Sequence, residues 1–329
     1  MKSVITVQEA AELIHSGKQL FVAGDEQLLR QLPHGQWIGG TIPYFMGEDG
    51  GVCTHDALQV AVLPDFIQAA EIRFYEESEL DSLPRHYKPN GFTRIIVPAS
   101  SATHQRFAHD CMSWEGLFDQ PLVGWIAGVD LKDLGKVSPQ VFNGITGESS
   151  TTKAVAMHVA LPDGIVAKAN ILNLFRQGEG DVIQFPEAGF EASGCLINGA
   201  KANLAAYLRE HKIDTKLPLV ADYMGAMVNV SIQAVQPEAG KVTFYAPVFP
   251  GVEYKVAAPV TNYEEEFRKE IESRHETPVF SCNCILNYLY AGLEGKRTGN
   301  IVGPITFGEI AYMLLNQTLV YLTFEKTAA

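Results

Sequence analysis

The sequence predicts an α+β fold, mixed α/β in composition, with two closely packed strand-rich halves and helices on the sheet faces. Three observations lead there. Strand-type runs follow one another and are only intermittently broken by helices, unlike the strict alternation of a doubly wound sheet. Apolar residues make up 47% of the 329 residues and charged residues 19%, enough for a sizeable core and too apolar for a disordered chain. Gly189, Gly194 and Gly199 gather ahead of a predicted helix, the one plausible junction, and set the halves at 1–197 and 198–329.

The elements follow in order. Thr6 and Glu9 have the spacing of a capping box, ahead of a helix whose apolar face is Ala10, Leu13 and Ile14. A short helix over 25–32 is stopped by Pro33. Trp37-Ile38-Gly39-Gly40-Thr41 reads as a buried strand running into a glycine turn. Strands are expected over 94–98, 122–129, 154–161, 165–175 and 181–185, with a helix over 102–114. A helix over 198–211 precedes strands over 219–222, 227–235 and 242–248. An acidic amphipathic helix is expected over 262–274, a strand over 278–281, a helix over 282–293 and a last strand over 318–324.

Charge narrows the partners. Lys and Arg number 25 against 38 Asp and Glu, a net −13. Such a surface repels phosphate backbones and anionic lipid, so neither nucleic acid nor membrane is expected. No apolar run reaches the roughly 20 residues that span a bilayer. The N-terminus lacks a secretory pattern. Five scattered cysteines, an odd number, read as reduced thiols in a cytoplasm.

Several constellations could carry chemistry. In Ser281-Cys282-Asn283-Cys284 the thiol is placed at a strand end and helix start, where a positive dipole end favours thiolate. The alternative is two small residues packed at a junction. Glu309 follows Gly308 in an apolar segment, so its carboxylate is either tied to backbone N–H groups, exposed on a loop, or aimed at a ligand. Pro98-Ala99-Ser100-Ser101-Ala102-Thr103-His104 offers hydroxyls and helix-start N–H groups to an anion, and the same residues make good caps. Asp222, closing the apolar run Leu219-Val220-Ala221, either lines a cleft or caps the turn through Met224 and Gly225. His34, His55 and His86 fall in loops, and His104 and His109 are spaced for different helix faces. Without HExxH or His-x-His, no dedicated metal site is expected; a single axial haem ligand stays open and no cofactor is named. Walker, GxSxG and GxGxxG patterns are absent.

The C-terminal third resembles a known family. Ala206-Tyr207-Leu208 is followed by Pro218–Asp222, the Gly240 turn and Phe244-Tyr245-Ala246-Pro247-Val248-Phe249-Pro250-Gly251. Then come Phe280-Ser281-Cys282, Phe307-Gly308-Glu309-Ile310 and Asn316-Gln317-Thr318-Leu319-Val320. This order is similar to the C-terminal half of FIST-domain proteins, and Trp37–Thr41 resembles a strand of the FIST N-terminal half. The resemblance covers roughly 200–329, and 1–199 more loosely. It implies a bacterial sensory domain that binds a small, amino-acid-like ligand and works with a signalling partner. The chain departs from the family where Cys282 is followed by Asn283-Cys284-Ile285 instead of Gly and Arg, so a ligand contact from that Arg is not carried over.

The expected function is therefore cytoplasmic small-molecule binding of sensory type. The expected ligand contacts are Cys282 and Glu309, with Asp222, Gly39 and Gly40 behind them, in a cleft between the halves. Two alternatives stand beside it: an enzyme with Cys282 or Cys284 as nucleophile, and an acidic scaffold docking through Glu264-Glu265-Glu266.

Overall fold

Strand outweighs helix, 41% to 20%, in a mixed α+β architecture of five sheets. The structure is a computed structural model that describes residues 2–67, 70–223, 225–274 and 277–327, apart from the side chains of residues 272 and 274. Met224, in the Asp222 turn, lies outside the described residues.

Three six-stranded sheets build the centre. One runs through Leu58–Val62, Leu20–Gly24, Trp37–Thr41 and Val141–Asn143. The second is ordered Met313–Leu315, Glu309–Ala311, Leu122–Ala127, Gly91–Pro98, Ala154–Ala160, Ala70–Tyr75. The third is ordered Ile165–Leu172, Leu319–Lys326, Phe280–Cys284, Gly303–Thr306, Tyr44–Gly47, Gly50–Cys53. Strands from before and after residue 197 thus pair directly: Glu309 lies opposite Trp125 and Pro304 opposite Phe45. A fourth six-stranded sheet and a three-stranded one occupy 183–256.

Packing explains the convergence. One apolar cluster joins Phe21 and Ile38 of the first sheet, Ile96 and Trp125 of the second, and Cys282 and Val320 of the third. Gly40 is where the first two sheets touch. A Cβ there would sit 2.7 Å from Ile96 and 2.8 Å from the Trp125 ring, so only hydrogen fits. The Gly39-Gly40 pair serves sheet packing, not the close approach of a ligand to a turn; both glycines are buried inside the Trp37–Thr41 strand.

Local signals account for many element boundaries. The Thr6–Glu9 capping box opens the helix Val7–His15 as its spacing predicts. Ser101 caps Ala102–Asp110 through its hydroxyl, which accepts from the His104 N–H at 3.0 Å. Four expected helices are shorter than predicted: that over 25–32 is Glu26–Leu29, that over 102–114 is Ala102–Asp110, and two more start late. Asn198 and Gly199 take φ of 48° and 83° and turn a hairpin between Gly194–Ile197 and Ala200–Asn203; the helix begins only at Leu204, capped by Asn203. The strand Phe280–Cys284 runs through both cysteines, and the helix after it is Ile285–Tyr290. Cys282 is therefore inside a strand and not at a helix start, which corrects the dipole argument for its thiolate.

Asn316-Gln317-Thr318 fastens three parts of the molecule together. The Asn229 amide donates to the Asn316 carbonyl at 3.0 Å, Ser231 donates to the Gln317 side chain at 2.7 Å, and Thr318 donates to Glu309. All three are buried.

Candidate ligand-binding site

The sequence-selected residues divide between two places. Cys282, Cys284 and Glu309 come together in the interior, where all three are at most 1% exposed. Asp222 is exposed at the end of Leu219–Tyr223 and accepts from the Gly225 N–H at 2.5 Å, the turn-capping alternative. It is not part of the interior group.

The interior group is sealed within protein, and Glu309 is only half partnered: its Oε1 makes no hydrogen bond among the described residues. Oε2 of Glu309 accepts the Thr318 N–H at 3.2 Å and its hydroxyl at 2.8 Å. Burial pushes the carboxyl well above the usual carboxylate range, and the Thr318 bonds pull back less strongly. Cys282 donates to the Gly124 carbonyl at 3.2 Å. Burial also pushes both thiols up, the neighbouring Glu309 adding to it. Protonated thiols in a sheet interior are poor nucleophiles. The charge of Arg94 opposes the shift at Cys282. Sequence reasoning passed Arg94 over as one residue of an apolar strand. Its guanidinium stands 3.2 Å from the Phe280 ring centre and 3.9 Å from that of Phe21, with Nε and Nη1 unpartnered among the described residues.

A cavity of about 410 Å³ opens elsewhere, with walls from both sides of residue 197. Ser100 and His104 supply one wall, Phe190 and Leu131 another, and Tyr245, Leu286 and Phe307 the remainder. Phe307 reaches its place over Gly128, whose missing side chain would otherwise lie 2.6 Å from the ring. Leu134 and Leu289, 52% and 45% exposed, also line it and leave apolar surface at the rim.

The polar side of this wall is the strand–helix turn at Ala99-Ser100-Ser101. Ser100 holds φ at 62°, in the left-handed region that a serine adopts at a cost. Its N–H donates to His104 Nδ1 at 3.2 Å. That bond places the imidazole proton on Nε2, a donor with no protein partner among the described residues. Burial pulls the His104 pKa down to about 4, so the ring is neutral. That Nε2 is itself closed off from even a water-sized molecule, so the ring lines the cavity as neutral aromatic surface. Glu191 stands on the same wall, ion-paired to Lys241 at 2.6 Å.

The sequence found Ser100 and His104 by their place between a strand and a helix. It did not find Tyr245, Leu286 or Phe307, which only the sheet pairing brings to them. The run Glu264-Glu265-Glu266 is partly neutralised within the chain, with Lys269 at 3.2 Å from Glu265 and 3.1 Å from Glu266, and Lys296 at 3.1 Å from Glu264. Among the described residues no helix is long and apolar enough to cross a membrane.

The fold is mixed α+β, with a half-open cavity of about 410 Å³. The chain belongs to a family of unknown function (DUF6976), whose model matches residues 5–325. Comparison with curated proteins gives no match.

Proposed function

We propose that the chain is a cytoplasmic small-molecule-binding protein of sensory type, whose ligand occupies the cavity of about 410 Å³. A volume in the range of roughly 300–1,000 Å³, mostly apolar walls and a few convergent polar groups are the usual make-up of such a site. The observation that carries the reading is the cavity itself, walled by Phe190, Tyr245, Leu286 and Phe307 beside the strained Ser100 turn. The neighbouring His104 Nε2–H is a buried donor without an acceptor among the described residues, a cost of about 1–3 kcal/mol that a ligand oxygen recovers once the ring turns toward the cavity. Backbone strain of the Ser100 kind gathers at ligand clamps.

The ligand on this reading has an apolar body that fits between Phe190, Tyr245 and Phe307, and a carboxylate or carbonyl for His104. An amino-acid-like molecule meets both demands, and the Glu191–Lys241 pair offers partners for its charged ends. The resemblance to FIST domains, carried by the order of the Cys282, Glu309 and Asn316–Thr318 segments, supports the sensory assignment and a signalling partner. The cavity also draws walls from both sides of residue 197, as this reading expects. On the same view Cys282 and Glu309 support the wall strands from within. Free cysteines among the described residues suit a reducing compartment.

The test is a thermal-shift screen of amino acids and N-acyl amino acids on the full chain, run beside Leu289→Trp, which fills the rim. The reading predicts that at least one apolar member raises the melting temperature of the natural chain and not that of the variant. No shift across the series, or equal shifts in both proteins, would overturn it.

A further inference from the structure

The loop that lends Leu131 and Leu134 to the cavity begins at Asp130, and Asp130 belongs to a second constellation. Asp130 is 6% exposed and accepts from the Lys132 N–H at 2.9 Å and the Tyr44 hydroxyl at 3.2 Å. Cys53 ends the strand Gly50–Cys53, and His55 follows two residues later. The Cys53 sulfur, a His55 ring nitrogen and an Asp130 carboxylate oxygen all lie within 4.8 Å of one another. His55 Nε2 is 3.1 Å from Asp130 Oδ2.

His55 is held from its other side. Its Nδ1 donates to Asp25 Oδ2 at 2.5 Å. Asp25 stands at the N-cap of Glu26–Leu29, yet its side chain makes no capping bond there. The carboxylate is turned to the imidazole instead. An aspartate fixing one histidine nitrogen so that the other faces a carboxylate and a thiol is the outer-shell arrangement of metal-binding histidines.

We propose that Cys53, His55 and Asp130 form a three-ligand site for a divalent transition metal, zinc by its donor set, with the fourth position open to solvent. Sulfur, imidazole and carboxylate are together a zinc-type set. Ligand atoms around tetrahedral zinc lie about 3.3–3.7 Å apart, given bonds of roughly 2.0–2.3 Å. The observed ligand atoms lie within 4.8 Å of one another, so the group closes in on the ion as it binds. On binding, the Cys53 thiol and the His55 Nε2–H, which points at the Asp130 carboxylate, both lose their protons to solvent. The thiolate and the Asp130 carboxylate then balance the two positive charges of the ion. The His55 side chain is 48% exposed, so the remaining position faces water. Asp25, Tyr44 and the Lys132 N–H act as positioning groups on the ligands.

The experiment is titration of the metal-free full chain with Co²⁺, followed by displacement with Zn²⁺. The proposal predicts one cobalt per chain, the intense visible bands of a tetrahedral site, and a thiolate-to-cobalt band in the near ultraviolet, all bleached by zinc. Cys53→Ser should remove the ultraviolet band. Asp25→Asn should keep it and weaken metal affinity at least tenfold, the lower end of outer-shell effects. Cys195→Ser, far from the group in sequence and sheet, should match the natural chain. A natural chain that binds no cobalt tetrahedrally overturns the proposal, and so does an ultraviolet band that survives Cys53→Ser. Should Cys53→Ser melt early without metal, the spectrum of the natural chain decides alone.

Discussion

Glu309 and Thr318 are joined twice, the backbone N–H and the hydroxyl of Thr318 both donating to one carboxylate oxygen at 3.2 and 2.8 Å. These two bonds tie the strand Glu309–Ala311 to the start of Leu319–Lys326, and Oε1 of the same buried carboxyl has no hydrogen-bond partner among the described residues.

The energetic sign follows from burial. A carboxyl whose folded pKa is raised above 4.5 binds its proton more tightly folded than unfolded. Its contribution is complete below the unfolded pKa and is lost as pH rises toward the folded value. Glu309→Gln keeps the acceptor for Thr318 and removes the titration. Its melting temperature relative to the natural chain should therefore climb steadily from about pH 4.5 upward. A relative melting temperature that falls with rising pH would mean that the ionised carboxylate is what the fold needs. Glu309→Ala, by contrast, should cost roughly 2–4 kcal/mol at every pH through lost bonds and a void.

His158 works in the opposite direction. It is fully buried, with Tyr75 at 2.7 Å from Nε2 and Thr93 at 2.8 Å from Nδ1. Burial pulls its pKa down to about 3, His86, Lys88 and Arg73 adding positive charge and Glu71 opposing. The unfolded chain binds the proton from about pH 6.5 downward while the folded chain refuses it. Stability should fall by roughly 2–3 kcal/mol between about pH 6.5 and 4.5 on this account. Denaturant unfolding of His158→Gln should show a flatter acid limb. An unchanged slope would assign the acid loss to other groups.

Ser100 sets stability against binding. Replacing it by glycine removes a strain of about 1 kcal/mol at φ 62° and opens the wall beside His104. Ser100→Gly should melt slightly higher and bind any cavity ligand more weakly. A variant that is less stable with ligand affinity intact would show that the serine serves the turn alone.

How far the sequence reached depended on the range of the interaction. The Thr6–Glu9 box and the Ser101 cap are local, and they were legible because three residues of spacing decide them. The helix expected from Asn198 begins only at Leu204, because left-handed φ at Asn198 and Gly199 first turns the chain into a hairpin. Cys282 was placed at a helix start because nothing local marks that the strand continues to Cys284; pairing with Leu319–Lys326 decides it. Glu309 stood out as an acid among apolar residues, and it is buried, but its partner is Thr318 across the sheet. The cavity and the Cys53–His55–Asp130 group were beyond reach for a common reason. Each is assembled from separate stretches by sheet order, and no spacing in the chain records sheet order.

The most direct test of the ligand reading is native mass spectrometry of the freshly purified full chain beside Leu289→Trp. The account predicts a small-molecule mass increment on the natural chain, of one per chain, released on unfolding and absent from the variant. A bare chain mass in both proteins, or the same increment in both, would contradict it.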